Sequence, residues 1–274
     1  MVVACVDVGS NTTRLLVAEP GPGATVRPVL ERRAFNDPAT PEHVAAQVTA
    51  QREAARAAGA QRIRIVGTAL LRAREDLRAA LEPLGVEVLP AAEEARLAFA
   101  GATQERLPGE PVAVVDVGGG STEVAVGAAG TGVAWWASTP LGSRNLSEGC
   151  DFGDPPTAGQ LAEASARAAR ALAGLACPHR PPLVLAAGGS ATTTARLLGT
   201  DLHREALDTA LERLCGAPAA AVARRHRLDP RRARILPAGL VLLRAAGEQL
   251  GAPLRLGAGG LREGVALDLM GAIG

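Results

Sequence analysis

Asp7-Val-Gly-Ser-Asn-Thr-Thr-Arg-Leu-Leu-Val-Ala18 and Asp116-Val-Gly-Gly-Gly-Ser-Thr-Glu-Val-Ala-Val-Gly127 are the two stretches that decide the fold. Aligned, they share five of twelve residues: the Asp, the first Val, the Gly, one Thr and a second Val. Each ends a β-branched run (Val2–Val8, Pro111–Val117), turns through glycine and polar residues, and resumes as a strand (Arg14–Glu19, Glu123–Gly127). A third strand follows in each case, Thr25–Leu30 and Val133–Ser138, and then helices alternate with strands. A restart of this kind is an internal repeat.

The first half continues with a helix from Pro41 to Ala58, started by Thr40 as N-cap and Pro at the first helical position. Strand Arg62–Val66, helix Leu70–Leu84, strand Val86–Leu89 and helix Ala92–Glu105 follow. In the second half the loop Leu141–Pro156 precedes a helix from Thr157. Strand Leu183–Ala187 runs into a helix opened by Gly188-Gly189-Ser190. An arginine-rich helical stretch, 201–250, leads to strand Leu254–Leu256 and helix Leu261–Met270. At about 150 residues per domain, 274 residues make two domains. Their expected limits are 1–110 and 111–274, with the last helix, 261–274, packing back on the first domain.

Composition removes several function classes. All 29 basic residues are arginine. Without lysine there is no P-loop and no pyridoxal Schiff base. Tyrosine is absent and aromatics are 2% of the chain, so a base-stacking platform for nucleic acid is not expected. A net charge of +1 implies no general attraction to nucleic acid or an anionic membrane. Cys5, Cys150, Cys177 and Cys215 are scattered, which argues against a zinc site or a disulfide framework. With no apolar run of membrane-spanning length and no basic leader, the expected location is the cytoplasm.

The glycine turns define the chemistry. Glycine lets a backbone approach a ligand, and successive turn N–H groups make an anion nest. Gly9, Ser10, Asn11, Thr12 and Thr13 form one such loop; Gly118, Gly119, Gly120, Ser121 and Thr122 form its counterpart. Gly188, Gly189 and Ser190, and separately Gly257–Gly260, open helices whose N-termini favour anions. Asp7 and Asp116, at strand ends, offer hard oxygen ligands of the kind Mg²⁺ (or Mn²⁺) takes. Two loops across a cleft would grip a phosphate chain and its metal.

Paired Asp-x-Gly hairpins resemble the acetate and sugar kinase/Hsc70/actin superfamily, an α/β class with two ribonuclease H-like domains flanking a cleft. More narrowly, six stretches resemble the exopolyphosphatase/guanosine pentaphosphate phosphohydrolase (Ppx/GppA) family. These are Asp7–Arg14, Val66–Arg72, Glu93–Leu97, Asp116–Glu123, Ile235–Gly239 and Leu261–Gly264, in family order. The resemblance implies Mg²⁺-assisted hydrolysis of the terminal phosphoanhydride of polyphosphate, or of the 5′-terminal phosphate of pppGpp. It makes Glu94 the general base, Glu123 a second carboxylate beside metal and water, and Arg72 a phosphate contact. Asp116 becomes the first metal residue and Asp7 the second. Two other readings stay open: a small-molecule kinase of the same superfamily, and a non-catalytic polyphosphate or (p)ppGpp sensor. The oligomeric state, homodimer included, is not fixed.

Three departures from the family stand out. Pro90-Ala91-Ala92 occupies a stretch where Ser-Gly is usual, Glu31–Thr40 is a shortened loop, and Ser190 replaces Thr. Arg224, Arg225, Arg227, Arg231, Arg232 and Arg234 form a basic run, either a track for a long polyanion or a solvated helix face.

Overall fold

The computed structural model describes residues 1–37, 40–198 and 202–273. Pro38 and Ala39 of the shortened loop, Asp201 at the start of the expected helical stretch, and Gly274 lie outside them. Two compact units result: Met1–Glu110 with Ala128–Ala134 and Ala258–Gly274, and Pro111–Gly127 with Trp135–Gly257.

In the first unit, β1 (Val3–Val8), β2 (Thr12–Pro20), β3 (Val26–Phe35), β4 (Arg62–Gly67) and β5 (Glu87–Val88) form a sheet of order β3-β2-β1-β4-β5. The first three pair antiparallel; β4 and β5 add in parallel. Strand alternation sorts the side chains by face. Ala4, Val6, Val8, Leu15 and Val17 pack with Val44 and Val48 of α1 (Pro41–Ala57) and with residues of α2 (Ala69–Ala73) and α3 (Glu75–Leu81). Val3, Cys5, Leu16 and Ala18 pack instead with Leu97 and Ala98 of α4 (Ala91–Thr103) and with the last helix of the chain. Each fully buried Val or Leu contributes about 1.5–3 kcal/mol relative to exposure, so neither face can stay uncovered.

The second unit repeats this plan. β6 (Pro111–Val117), β7 (Thr122–Ala128), β8 (Gly132–Thr139), β9 (Val184–Ala187) and β10 (Leu254–Leu256) form a sheet of order β10-β9-β6-β7-β8. Read from its opening hairpin, that is the order of the first sheet. Around it lie α5 (Ser143–Gly149), α6 (Ala158–Ala173), α7 (Gly188–Leu198), α8 (Arg204–Cys215), α9 (Ala219–His226) and α10 (Pro230–Leu250). The last helix, α11 (Leu261–Met270), belongs to the first unit, against α4. The two helices cross on glycine: a Cβ on Gly264 would stand 1.8 Å from the Leu97 carbonyl oxygen, and one on Gly101 2.0 Å from that of Gly260.

Three expectations need correcting. The helix 70–84 is broken at Arg74, which is extended (φ −122°, ψ 101°) and forks onto Asp76 through bonds of 2.8 and 2.6 Å. Glu75 and Asp76 then start α3, where the helix dipole favours acids. The loop 141–156 contains α5, whose Leu146 is buried with Cys150 one turn on. Strand β3 runs past the expected Leu30, so Glu31–Phe35 of the expected loop pair with β2. The helical stretch expected after 201 is present as α8, α9 and α10, interrupted at Gly216–Pro218 and at Arg227, which is left-handed (φ 53°). All four cysteines are free. Among the described residues no helix is long and apolar enough to cross a membrane.

Candidate functional site

The two hairpin turns match in their hydrogen bonds as well as their sequence. Gly9 N–H donates to the Thr12 carbonyl at 3.0 Å, and Gly118 N–H to the Ser121 carbonyl at 3.0 Å. The aligned threonines are both fully buried. Thr13 donates its hydroxyl to Asn36 Oδ1 at 2.8 Å, and Thr122 to the Leu141 carbonyl at 2.7 Å. These two hydroxyl protons brace the turns rather than point to a ligand.

Asn36 is the brace of the first turn. Its Nδ2 donates to the Gly9 carbonyl at 2.8 Å and its N–H to the Asn11 carbonyl at 3.0 Å. It sits there because β3 runs on to Phe35, opposite Thr12, longer than the sequence pattern indicates. The second turn is braced from α5. Ser143 N–H donates to Gly118 O at 2.9 Å, Arg144 N–H to Gly119 O at 2.9 Å, and Asn145 Nδ2 to Gly120 O at 2.9 Å. In a trans peptide the N–H points opposite to the carbonyl. Fixing three successive carbonyls toward α5 therefore turns the amides of Gly119, Gly120 and Ser121 the other way. Gly142 permits this contact: a Cβ there would stand 2.4 Å from the Gly119 carbonyl carbon.

Glu94 lies in the first turn of α4, four residues after the N-cap Pro90 (φ −57°, ψ 148°). It is buried, and Arg72 from the last turn of α2 meets it, Nη1 to Oε2 at 2.6 Å. The same nitrogen donates to the Leu89 carbonyl at 2.9 Å. Burial raises the proton affinity of Glu94; the Arg72 charge and hydrogen bond oppose this, and the Asp7 charge adds to it. The net direction is upward. Asp7 is raised too, by burial first, with Arg14 and Arg262 opposing and Glu263 reinforcing. Arg14, across β1 from Asp7, is lowered by burial and then by the like charge of Arg262. Arg262 is itself paired with Glu31 at 3.0 Å. The structure thus brings Asp7, Glu94, Arg72, Arg14, Arg262 and Glu263 into one charged cluster in the first unit.

In the second unit Asp116 is the penultimate residue of β6, opposite Ala187 of β9, so α7 begins beside it. Gly188 has φ +84°, and a Cβ there would stand 2.4 Å from Asp116 Oδ1. Glu123, buried on β7, accepts a 2.9 Å bond from the Ser138 hydroxyl of β8. Ser190 is buried, and its hydroxyl has no partner among the described residues. A Cβ on Gly239 of α10 would stand 2.2 Å from that hydroxyl oxygen and 3.6 Å from Ser143 Cβ.

Asn36, Gly142, Ser143, Asn145 and Ser138 were not singled out from the sequence. Each touches a site residue distant in the chain, and nothing local in the sequence marks it. Among the described residues, no three His, Cys, Asp or Glu side chains gather as a metal cluster.

Two five-stranded sheets of one order, each opening on a strand–glycine turn–strand hairpin, define the class of paired ribonuclease H-like domains seen in actin-like ATPases. Within that class the chain belongs to the Ppx/GppA phosphatase family, whose profile matches residues 42–272. The crystal structure of the Aquifex aeolicus family member is similar at TM-score 0.80 and 25% identity, over 98% of this chain and 97% of that one. An exopolyphosphatase from Cytophaga hutchinsonii shares the fold at TM-score 0.86 and 16% identity, over 100% and 99%. Exopolyphosphatase 2 of Mycobacterium tuberculosis is 33% identical over 189 residues, and the match spans 59% of this chain and 59% of that relative's own length.

Proposed function

We propose that this chain releases the terminal phosphate of inorganic polyphosphate, or the 5′-terminal phosphate of guanosine pentaphosphate, by in-line attack of water activated by Glu94. The observation that carries this reading is the state of Glu94: buried, raised in proton affinity, and hydrogen-bonded to an arginine. An exposed acid at a helix start would be solvated and a poor base. A desolvated one, with a proton affinity moved toward the working pH, suits general-base catalysis. The family membership and the exopolyphosphatase relatives support polyphosphate as the substrate class.

Phosphoryl transfer leaves a protein mainly positioning and charge neutralisation to perform. The outward amides of Gly119, Gly120 and Ser121 donate to phosphate oxygens, and the turn Gly9–Thr12 is the matching anion nest of the first unit. The guanidinium of Arg72 is a planar fork that fits a phosphoryl group. As it shares its protons with the substrate, Glu94 loses part of its counter-charge and its proton affinity rises when water must be deprotonated. Ser138 holds the Glu123 carboxylate in one orientation. The donor set in the second unit fits Mg²⁺, which takes one or two carboxylates and completes its shell with water and phosphate oxygens. Asp116 and Glu123 would hold it. Bound there, the metal supplies neutralisation of charge on the phosphate oxygens.

The test is a phosphate-release assay on polyphosphates of several lengths, pppGpp and ATP, with and without Mg²⁺. Release from polyphosphate or pppGpp is expected, and Glu94→Gln should abolish it while substrate binding persists. Tight binding without turnover would make the chain a sensor instead; transfer from ATP to an acceptor would make it a kinase.

A further inference from the structure

The basic run on α9 and α10 is unused by the reading above. Between residues 216 and 247 there are seven arginines and one acid, Asp229, a local net charge of +6, while the rest of the chain is net −5. Arg224, Arg225, Arg227, Arg231 and Arg234 are exposed, and only Arg232 turns inward. Arg231 has Asp229 at 3.5 Å and Arg234 has Asp154 at 3.6 Å. Among the described residues no carboxylate lies within 4.0 Å of Arg224, Arg225 or Arg227. Among the described residues, these three neighbouring cations have no local counter-charge.

Helix α10 connects this patch to the phosphate turns of its own unit. Gly239 abuts Ser190 and Ser143, the residue that fixes the Gly118 carbonyl. At about 1.5 Å of rise per residue, Arg234 stands about 7.5 Å and Arg231 about 12 Å further along the axis. The patch carries no Trp, Tyr or Phe of its own: Phe152, whose carbonyl accepts from Arg234, is buried, and the ring within the run is the half-buried His226. A base-bearing polymer would gain little beyond its phosphate contacts here.

We propose that Arg224, Arg225 and Arg227, with Arg231 and Arg234, form an auxiliary surface for the distal part of a linear phosphate chain, giving preference for long over short inorganic polyphosphate. The proposal rests on the polyphosphate reading above.

The test compares wild type with the triple variant Arg224→Gln/Arg225→Gln/Arg227→Gln, measuring binding of long-chain polyphosphate and of tripolyphosphate across a salt series. Three lost contacts, at about 0.7 released counterions each for a single-stranded polyanion, flatten the log–log salt slope by about two units. That slope difference corresponds to about a hundredfold weaker long-chain binding at 0.1 M salt relative to 1 M. Tripolyphosphate binding is expected to be unchanged, and the corresponding triple Arg→Lys variant to retain most of the long-chain affinity. Equal long-chain affinity and slope in the Gln variant would overturn the proposal. So would an equal loss for tripolyphosphate, or an RNA oligonucleotide of matched charge binding the patch more tightly than polyphosphate. The failures are separable: a wild type that binds long chains through the patch yet releases no phosphate sinks only the hydrolase reading. Turnover with unaltered variants sinks only the patch.

Discussion

Gly188→Ala tests the packing beside Asp116 independently of any activity. The residue has φ +84°, where an L side chain is strained, and its Cβ would lie 2.4 Å from Asp116 Oδ1 and 2.8 Å from the Val117 carbonyl oxygen. Ordinary contact starts at 3.4 Å, so the carboxylate or the β6 backbone must retreat by the difference. Left-handed strain costs about 1–2 kcal/mol and overpacking a further 1–3 kcal/mol or so, a total near 3 kcal/mol. For a unit of this size that lowers the melting temperature by about 10 °C. Gly59→Ala is the matched control: its φ is +81° and nothing lies within 4 Å of the added carbon, so it carries the strain alone. Thermal and urea denaturation of both variants separate the two contributions. If Gly188→Ala is no more destabilising than Gly59→Ala, the close approach to Asp116 is wrong. On the proposed Mg²⁺ role of Asp116, the same variant should also weaken Mg²⁺ binding if the carboxylate is what gives way.

Glu94→Gln should be more stable than wild type near neutral pH. The folded-state proton affinity of Glu94 is raised above the unfolded value near 4.5, so the wild type loses stability as pH rises from there through the folded value. The two should converge in acid, and a difference that does not grow with pH in denaturant titrations would refute the assignment. Asn36→Ala leaves the Gly9 carbonyl and the Thr13 hydroxyl without their buried partner. At about 1–3 kcal/mol for each unsatisfied group it should cost about 2–4 kcal/mol and raise KM more than it lowers kcat. Asn36→Asp should not rescue it, since the donor to Gly9 is gone, and full rescue would count against the brace.

The repeat was legible because a strand–turn–strand hairpin is written locally, in alternating apolar residues and a few turn residues. The structure reproduces it in both the strand order and the paired bonds at Gly9 and Gly118. The start of α1 at Pro41 was equally local, as was α11. What could not be read were the partners of those turns. Nothing near Asn36 in the sequence marks it as the clamp of Gly9, because the contact depends on how far β3 pairs with β2. Ser138 and Glu123 meet by the same cross-strand route. The break at Arg74 was missed because its neighbours have good helical propensity, and one extended residue with a forked ion pair overrode them. The resemblance makes Arg72 a phosphate contact; its pairing with Glu94 is set by tertiary packing and has no local signal.

Helix α11 bears on how the chain matures during synthesis. It covers one face of a sheet whose strands lie within the first 88 residues, yet it is made only after the whole of the second unit. The apolar row Val3, Cys5, Leu16 and Ala18 must therefore wait on the ribosome for its lid, with α4 as its partial shelter. The unit encoded in the middle of the message can close first, and the one encoded around it last.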